Sequence, residues 1–165
     1  MRILGLDPGT TKPNPTGVAL LTWTLGDEAR LLGTAHLAPA SQQSLASFLG
    51  DLTARLRTDW LNQVDLVGIE WPYVGKNAQS ALDLAACCGA VLSAAGERGI
   101  ACVLISPAEG KLALAGVSSA SKQAMIDAVR LQFRLAVPKD HADAVGIALA
   151  ARATVLQKGL IPCPK

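Results

Sequence analysis

The chain has 165 residues, 50% of them hydrophobic and 17% charged, a globular composition with length for one domain, 1–165, around one substantial core. The formal net charge of +2 does not by itself mark a nucleic-acid binder. No run reaches the ~20 uninterrupted apolar residues of a membrane helix, and the opening MRILGLDPGTTK meets an acid and a proline too early for a secretory signal, so the expected location is the cytoplasm.

In chain order, residues 2–7 are short and apolar and stop at Pro8-Gly9, a buried strand. Residues 17–24 and 30–37 read as two more strands, joined by a turn at Gly26-Asp27. Leu45, Phe48, Leu49, Leu52, Leu56 and Trp60 recur at helical spacing and predict an amphipathic helix over 42–60. Residues 64–70 form a strand ending in an acid, 77–98 a long Ala/Leu-rich helix opening at Asn77, and 100–105 a strand stopped by Ser106-Pro107. Helices over 119–133 and 140–157 follow. The order β-β-β-α-β-α-β-α-α suits an antiparallel meander extended by parallel strands, a mixed α/β sheet with helices on its faces.

Four cysteines, Cys87, Cys88, Cys102 and Cys163, form no CxxC pair, which argues against zinc; small buried free thiols in a reducing compartment are expected. Trp23 and Trp60 read as core or interface residues, and Asp83, Glu97 and Asp127 as solvated helix charges.

Certain acids stand in unusual places. Asp7 and Glu70 each end an apolar strand, where acids are depleted. Taken singly, each is equally a helix cap, a surface position or a ligand at the sheet edge. Asp140 and Asp143 lie three apart at the start of a helix and project from one face. Favourable charge at a helix N-terminus explains one of them, with Asp140 a candidate N-cap, but a second acid on the same face is unexplained by capping. If that helix crosses the strand ends, all four converge. Such a cluster repels itself unless cations are present, and carboxylates favour hard ions such as Mg²⁺ or Mn²⁺. Two of these about 3.5–4 Å apart can hydrolyse a phosphodiester. With four of the 13 acids set aside in this way, the remaining nine face 15 basic residues, which suits a polyanion.

Five segments, in order, carry a family resemblance: Met1-Arg2-Ile3-Leu4-Gly5-Leu6-Asp7-Pro8-Gly9-Thr10; Gly68-Ile69-Glu70-Trp71-Pro72-Tyr73; Lys76-Asn77-Ala78-Gln79-Ser80-Ala81-Leu82; Lys111, Gly116 and Lys122; and Asp140-His141-Ala142-Asp143-Ala144. Together they resemble the RuvC family of Holliday junction resolvases. The resemblance implies a ribonuclease-H-like mixed five-stranded sheet with helices on both faces. It implies Asp7, Glu70, Asp140 and Asp143 as catalytic, metal-binding acids holding two Mg²⁺ or Mn²⁺ ions per active site. Lys111 and Lys122 match lysines that bind DNA, Lys122 also serving catalysis, and a lysine near the scissile phosphate stabilises developing charge. Tyr73 matches an aromatic that stacks on an unpaired base near the crossover. Lys76, Asn77 and Ser80 would contact the DNA backbone beside the cut. The implied partners are four-way junction DNA, a second copy in a two-fold homodimer and a branch-migration helicase complex.

The sequence departs from the family at two places. Thr11-Lys12-Pro13-Asn14-Pro15-Thr16 is a longer, proline-rich link, expected to turn near the metal site. Ala86-Cys87-Cys88-Gly89 stands where family members often carry Gln-Ala-Arg-Gly. His141, between the helix acids, reads as partly exposed or as a substrate contact. Asp7-Pro8-Gly9-Thr10-Thr11-Lys12 also resembles the phosphate loop of sugar kinases and actin-like ATPases, but the second loop and second domain of those proteins have no counterpart here. A nearer alternative is another ribonuclease-H-like nuclease acting on RNA precursors or other branched DNA, because site chemistry does not encode substrate geometry. A non-catalytic binder of branched nucleic acid would gain by losing the acids.

Overall fold

Strand β1 runs from Arg2 to Thr10 at the centre of a five-stranded sheet of order β3-β2-β1-β4-β5. The computed structural model describes residues 1–23, 28–72, 77–138 and 141–159. β2 (Pro15–Trp23) and β3 (Ala29–Leu37) complete the antiparallel meander. β4 (Leu66–Glu70) and β5 (Ala101–Ile105) add in parallel on the other side of β1. The expected turn at Gly26-Asp27 lies outside the described residues, although β2 and β3 remain paired as far as Trp23 and Ala29.

Side chains alternate across the sheet at the strand period of two. Ile3 and Leu21 join one buried cluster with α3 (Pro107–Ala115), α4 (Lys122–Phe133) and α5 (Ala142–Gln157). Leu4, Leu6, Val18 and Leu20 join a second cluster with α1 (Leu45–Arg55) and α2 (Ala78–Gly96). Helices therefore cover both faces, and the mixed sheet expected from the sequence is present. With 19 residues, α2 is long and apolar enough to cross a membrane. Here its Cys87, Cys88, Val91, Ala94 and Ala95 fill the second core.

Three elements differ from the sequence reading. The helix expected over 42–60 begins at Leu45, capped by the Ser44 hydroxyl accepting from the Ser47 amide at 3.2 Å, and ends at Arg55. A π-helical turn, Leu56–Trp60, and a short 3-10 turn, Leu61–Gln63, follow. Leu56 and Leu61 are both fully buried. Five residues on, an α-helix points a side chain about 140° away, and the wider turn brings both leucines inward. The second difference is α3, which the sequence reading passed over. Ser106-Pro107 does stop β5, but it also starts a helix. The Ser106 hydroxyl accepts from the Glu109 amide, the Glu109 carboxylate accepts from the Ser106 amide, and Pro107 takes the first turn. Third, α5 starts at Ala142 with His141 at its cap, two residues past the start expected at Asp140, which lies outside the described residues.

The docking of α5 sets the site. Gly5 and Gly68 face each other across the β1–β4 pairing. A methyl group on Gly5 would be driven into the carbonyl oxygen of Ala144 and lie 2.8 Å from the Ala148 nitrogen. One on Gly68 would lie 2.6 Å from the Ala151 methyl. These two glycines make a notch in which α5, lined by Ala144, Ala148 and Ala151, approaches the sheet at backbone distance.

Candidate active site

Two residues beyond each notch glycine, on the same face of the sheet, stands an acid: Asp7 after Gly5, and Glu70 after Gly68. Because α5 lies in the notch, its first turn brings Asp143 over the same end of the sheet. Asp7, Glu70 and Asp143 line one cavity of about 370 Å³ together with Lys111 of α3 and Lys122 of α4. Asp7 is not at the end of its strand, as expected from Pro8-Gly9. β1 continues to Thr10, which pairs with Pro15, and the register shifts between Asp7 and Thr10. Such an irregularity re-aims side chains beside a site.

The electrostatics are those of crowded carboxylates. Burial pushes the Glu70 carboxyl up to about 7, the Asp143 charge adds to the rise, and Lys111 and Lys122 oppose it. The Lys122 ammonium, in the first turn of α4, donates to the Asp143 carboxylate. Among the described residues no three His, Cys, Asp or Glu side chains sit closely enough to hold a cation by themselves. The donor set nevertheless suits a hard divalent cation. Three carboxylates share a cavity, one of them displaced toward its neutral form, and a cation relieves both burial and mutual repulsion.

A pH-dependent stability follows. Glu70 carries a folded-state pKa above its ordinary 4.5. Its charge therefore opposes folding fully above pH ~7, and the penalty fades as pH falls toward ~4.5. In chelator at pH 8, Glu70→Gln is expected to melt higher than wild type by a few °C, corresponding to about 1–2 kcal/mol after allowance for partial solvent screening. The gain should vanish near pH 4.5 and reverse in sign when Mn²⁺ is added. Equal melting at pH 8 in chelator would show that Glu70 is not strained.

Several supporting residues escaped the sequence reading. His141, expected to be partly exposed, is only 5% exposed. Its Nδ1 lies 2.7 Å from the Thr34 hydroxyl and its Nε2 3.2 Å from His36 Nδ1, so the start of α5 is tied to β3. Thr16 is fully buried and its hydroxyl clamps Gly9, donating to the Gly9 carbonyl at 2.6 Å and accepting from the Gly9 amide at 3.1 Å. The Cys88 thiol donates to the Glu70 carbonyl at 3.4 Å, so the place of the family arginine is taken by a buried support of β4. Burial pushes the Cys87 and Cys88 thiols up to about 11 and 12, consistent with inert core thiols.

Of the remaining residues, Asn77 caps α2, its side chain accepting from the Ser80 amide at 3.2 Å. Ser80 lines a second hollow that shares Asp7 and Lys122 with the carboxylate cavity. Asp140, Tyr73, Lys76 and Cys163 lie outside the described residues.

A family model described as crossover junction endodeoxyribonuclease RuvC matches residues 3–151. The chain belongs to the RuvC family. Among relatives of that name, the protein of Dehalococcoides mccartyi (strain BAV1) is 35% identical over 156 residues, spanning 90% of this chain and 89% of its own. That of Thermomicrobium roseum is 35% identical over 161 residues, spanning 90% and 91%. The Thermus thermophilus RuvC structure in complex with a Holliday junction substrate superposes with a TM-score of 0.83 at 28% identity, covering 97% of each chain. The ribonuclease-H-like layout expected from the sequence is thus the layout of the RuvC structure. The chain is an endodeoxyribonuclease of this family.

Proposed function

We propose that this protein resolves Holliday junctions, nicking opposing strands of a four-way DNA junction by metal-dependent phosphodiester hydrolysis. The observation that carries this reading is the gathering of Asp7, Glu70 and Asp143 with Lys111 and Lys122 in one cavity of a RuvC-family chain. It is supported by the likeness, over nearly the whole chain, to a relative solved with a Holliday junction.

Asp7, Glu70 and Asp143, with Asp140 as the fourth acid, would hold two Mg²⁺ or Mn²⁺ ions. When bound, these would neutralise the carboxylates and assist both the attacking water and the departing oxygen. The chain's own groups do the rest. Lys111 and Lys122 face the cavity and counter the charge gathering on the phosphate oxygens. Lys122 donates to Asp143 at the edge of the cavity, where its ammonium would stand beside the scissile phosphate. The water oxygen forms the new bond to phosphorus and the 3′ oxygen leaves with a proton, giving 5′-phosphate and 3′-hydroxyl ends. Tyr73 would stack on an unpaired base near the crossover, and Lys76, Asn77 and Ser80 would follow the backbone. In the test, a labelled junction should be bound in chelator and cut only on adding Mg²⁺ or Mn²⁺. Cutting that persists in chelator would contradict the reading.

Two symmetric nicks call for two active sites, and α2 offers the face on which a second copy would pair. Beside the site, Trp71 is 54% and Leu82 65% exposed, around an apolar hollow that includes Ala85, Gly89 and Leu92. Small residues at 85, 86 and 89 leave room for a close helix–helix approach. Leu82→Glu should yield monomers in sedimentation analysis and replace paired nicks by single ones, with a loss of resolution of about tenfold or more. A wild-type protein that sediments as a monomer while resolving junctions would refute the pairing. A cytoplasmic setting and a branch-migration helicase complex complete the proposal.

A further inference from the structure

Next to the carboxylate cavity, and sharing Asp7 and Lys122 with it, is a second hollow of about 290 Å³ between the β1–β2 turn and the start of α2. We propose that it seats the nucleotide adjoining the scissile phosphate, and that Asn14 contacts the edge of its base, so that the Thr11–Pro15 turn helps decide which sequences are cut. This rests on the reading of the chain as a junction nuclease and adds a determinant of sequence preference to it.

The first support is continuity. A strand whose phosphate lies against Asp7 and Lys122 must carry its neighbouring nucleotide out of the carboxylate cavity, and this hollow opens from those same two residues. The second is chemistry. Pro8, Pro15 and Leu84 supply apolar walls, while Thr11 and Asn14 supply neutral hydrogen-bonding groups. Among the described residues the one cation in the lining, Lys122, belongs equally to the carboxylate cavity and donates to Asp143. Apolar walls with neutral polar edges fit a base rather than a phosphate, which would seek further positive charge.

The third support is rigidity. The amide of Thr11 donates to the Asn14 carbonyl and the amide of Asn14 to the Thr11 carbonyl, both at 3.2 Å, and the Asn14 amide also approaches the Thr11 hydroxyl at 3.3 Å. The turn folds back on β1 so closely that a methyl group on Gly9 would lie 2.5 Å from the Pro15 carbonyl oxygen. The buried Thr16 hydroxyl holds Gly9 on both its amide and its carbonyl. These bonds use the main chain of Asn14 and leave its exposed carboxamide to carry one donor face and one acceptor toward a ligand. Asparagine held in this manner pairs with a base edge through both groups, and a wall fixed beforehand discriminates without the cost of ordering itself on binding.

The experiment measures single-turnover cleavage by full-length protein on a panel of immobile four-way junctions that differ only in the base pairs flanking the cut. Wild type, Asn14→Ala, Asn14→Asp and the neighbouring control Lys12→Ala are compared, with melting curves to confirm folding. Wild type is expected to prefer some flanking sequences. Asn14→Ala should reduce that preference about tenfold by slowing the favoured junctions, with the disfavoured ones and junction affinity unchanged within about twofold. Asn14→Asp, which keeps the size and removes the amide donor, should change the order of preference, and Lys12→Ala should do neither. A folded Asn14→Ala that retains the wild-type preference overturns the subsite while leaving the nuclease reading intact, as does a wild type that cuts every sequence equally. A wild type that cuts no junction of any sequence overturns both.

Discussion

Asp7→Asn is expected to cut a four-way junction at least about a thousandfold more slowly than wild type while binding it with nearly unchanged affinity. Asp7 lies where β1 loses register with β2, inside the cavity that also holds Glu70 and Asp143 and at the mouth of the neighbouring hollow. The amide is nearly isosteric, so the fold and the DNA surface are kept, but one negative charge is lost from the cavity. Loss of a charge that acts chiefly in the transition state lowers the rate constant more than the affinity, and losses of ~10²–10³ are known for single electrostatic groups. A carboxylate that would hold the metal should exceed that range. Single-turnover cleavage and gel-shift titration on the same junction measure the two quantities separately. Cutting at the wild-type rate would remove Asp7 from the metal site, and equal loss of binding would assign it to DNA contact instead.

Gly5→Ala is expected to be the most damaging small substitution in the sheet. The added methyl would meet the carbonyl oxygen of Ala144 and the amide nitrogen of Ala148, both backbone atoms that cannot swing aside. Relief requires α5 to rise from the sheet, which opens the core around Ile3, Leu66 and Ile147 and carries Asp143 away from Asp7. Overpacking of this kind costs about 1–3 kcal/mol or more, a fall in Tm of roughly 2–12 °C for a chain of this size. Metal-dependent cutting should fall further than the remaining folded fraction explains. Gly33→Ala on β3, where an added methyl has nothing within 4 Å, is the control and should leave Tm nearly unchanged. Similar melting of the two variants, measured by calorimetry, would mean that α5 does not depend on the notch.

The sheet was legible because its strands are short apolar runs with strong punctuation, Ser106-Pro107 after β5 and Pro8-Gly9 near the end of β1, although β1 runs on through that pair to Thr10. Glu70 was legible because an acid closing Val67-Gly68-Ile69 breaks the pattern of a buried strand. What periodicity does not carry is the distance between elements. Asp143 meets Asp7 and Glu70 because α5 sinks into a notch, and the signal for that was a glycine two residues before each strand acid, at 5 and 68. The α3 helix, which carries Lys111 to the cavity, was masked by reading Ser106-Pro107 only as a stop, although Glu109 three residues later completes a capping box. His141 was misplaced because a histidine before a helix resembles a solvated cap; its burial depends on Thr34 and His36 of the distant strand β3. No local pattern foretells that contact.

The most direct test of the central claim is to offer the wild-type protein a labelled four-way junction, a duplex of matched sequence and an RNA–DNA hybrid, each with Mg²⁺, Mn²⁺ or chelator. Paired symmetric nicks in the junction alone, dependent on either metal and absent in Asp7→Asn, are the predicted result. Cutting of the hybrid or the plain duplex with the junction left intact would contradict it, keeping the carboxylate site but assigning it to a different nucleic acid.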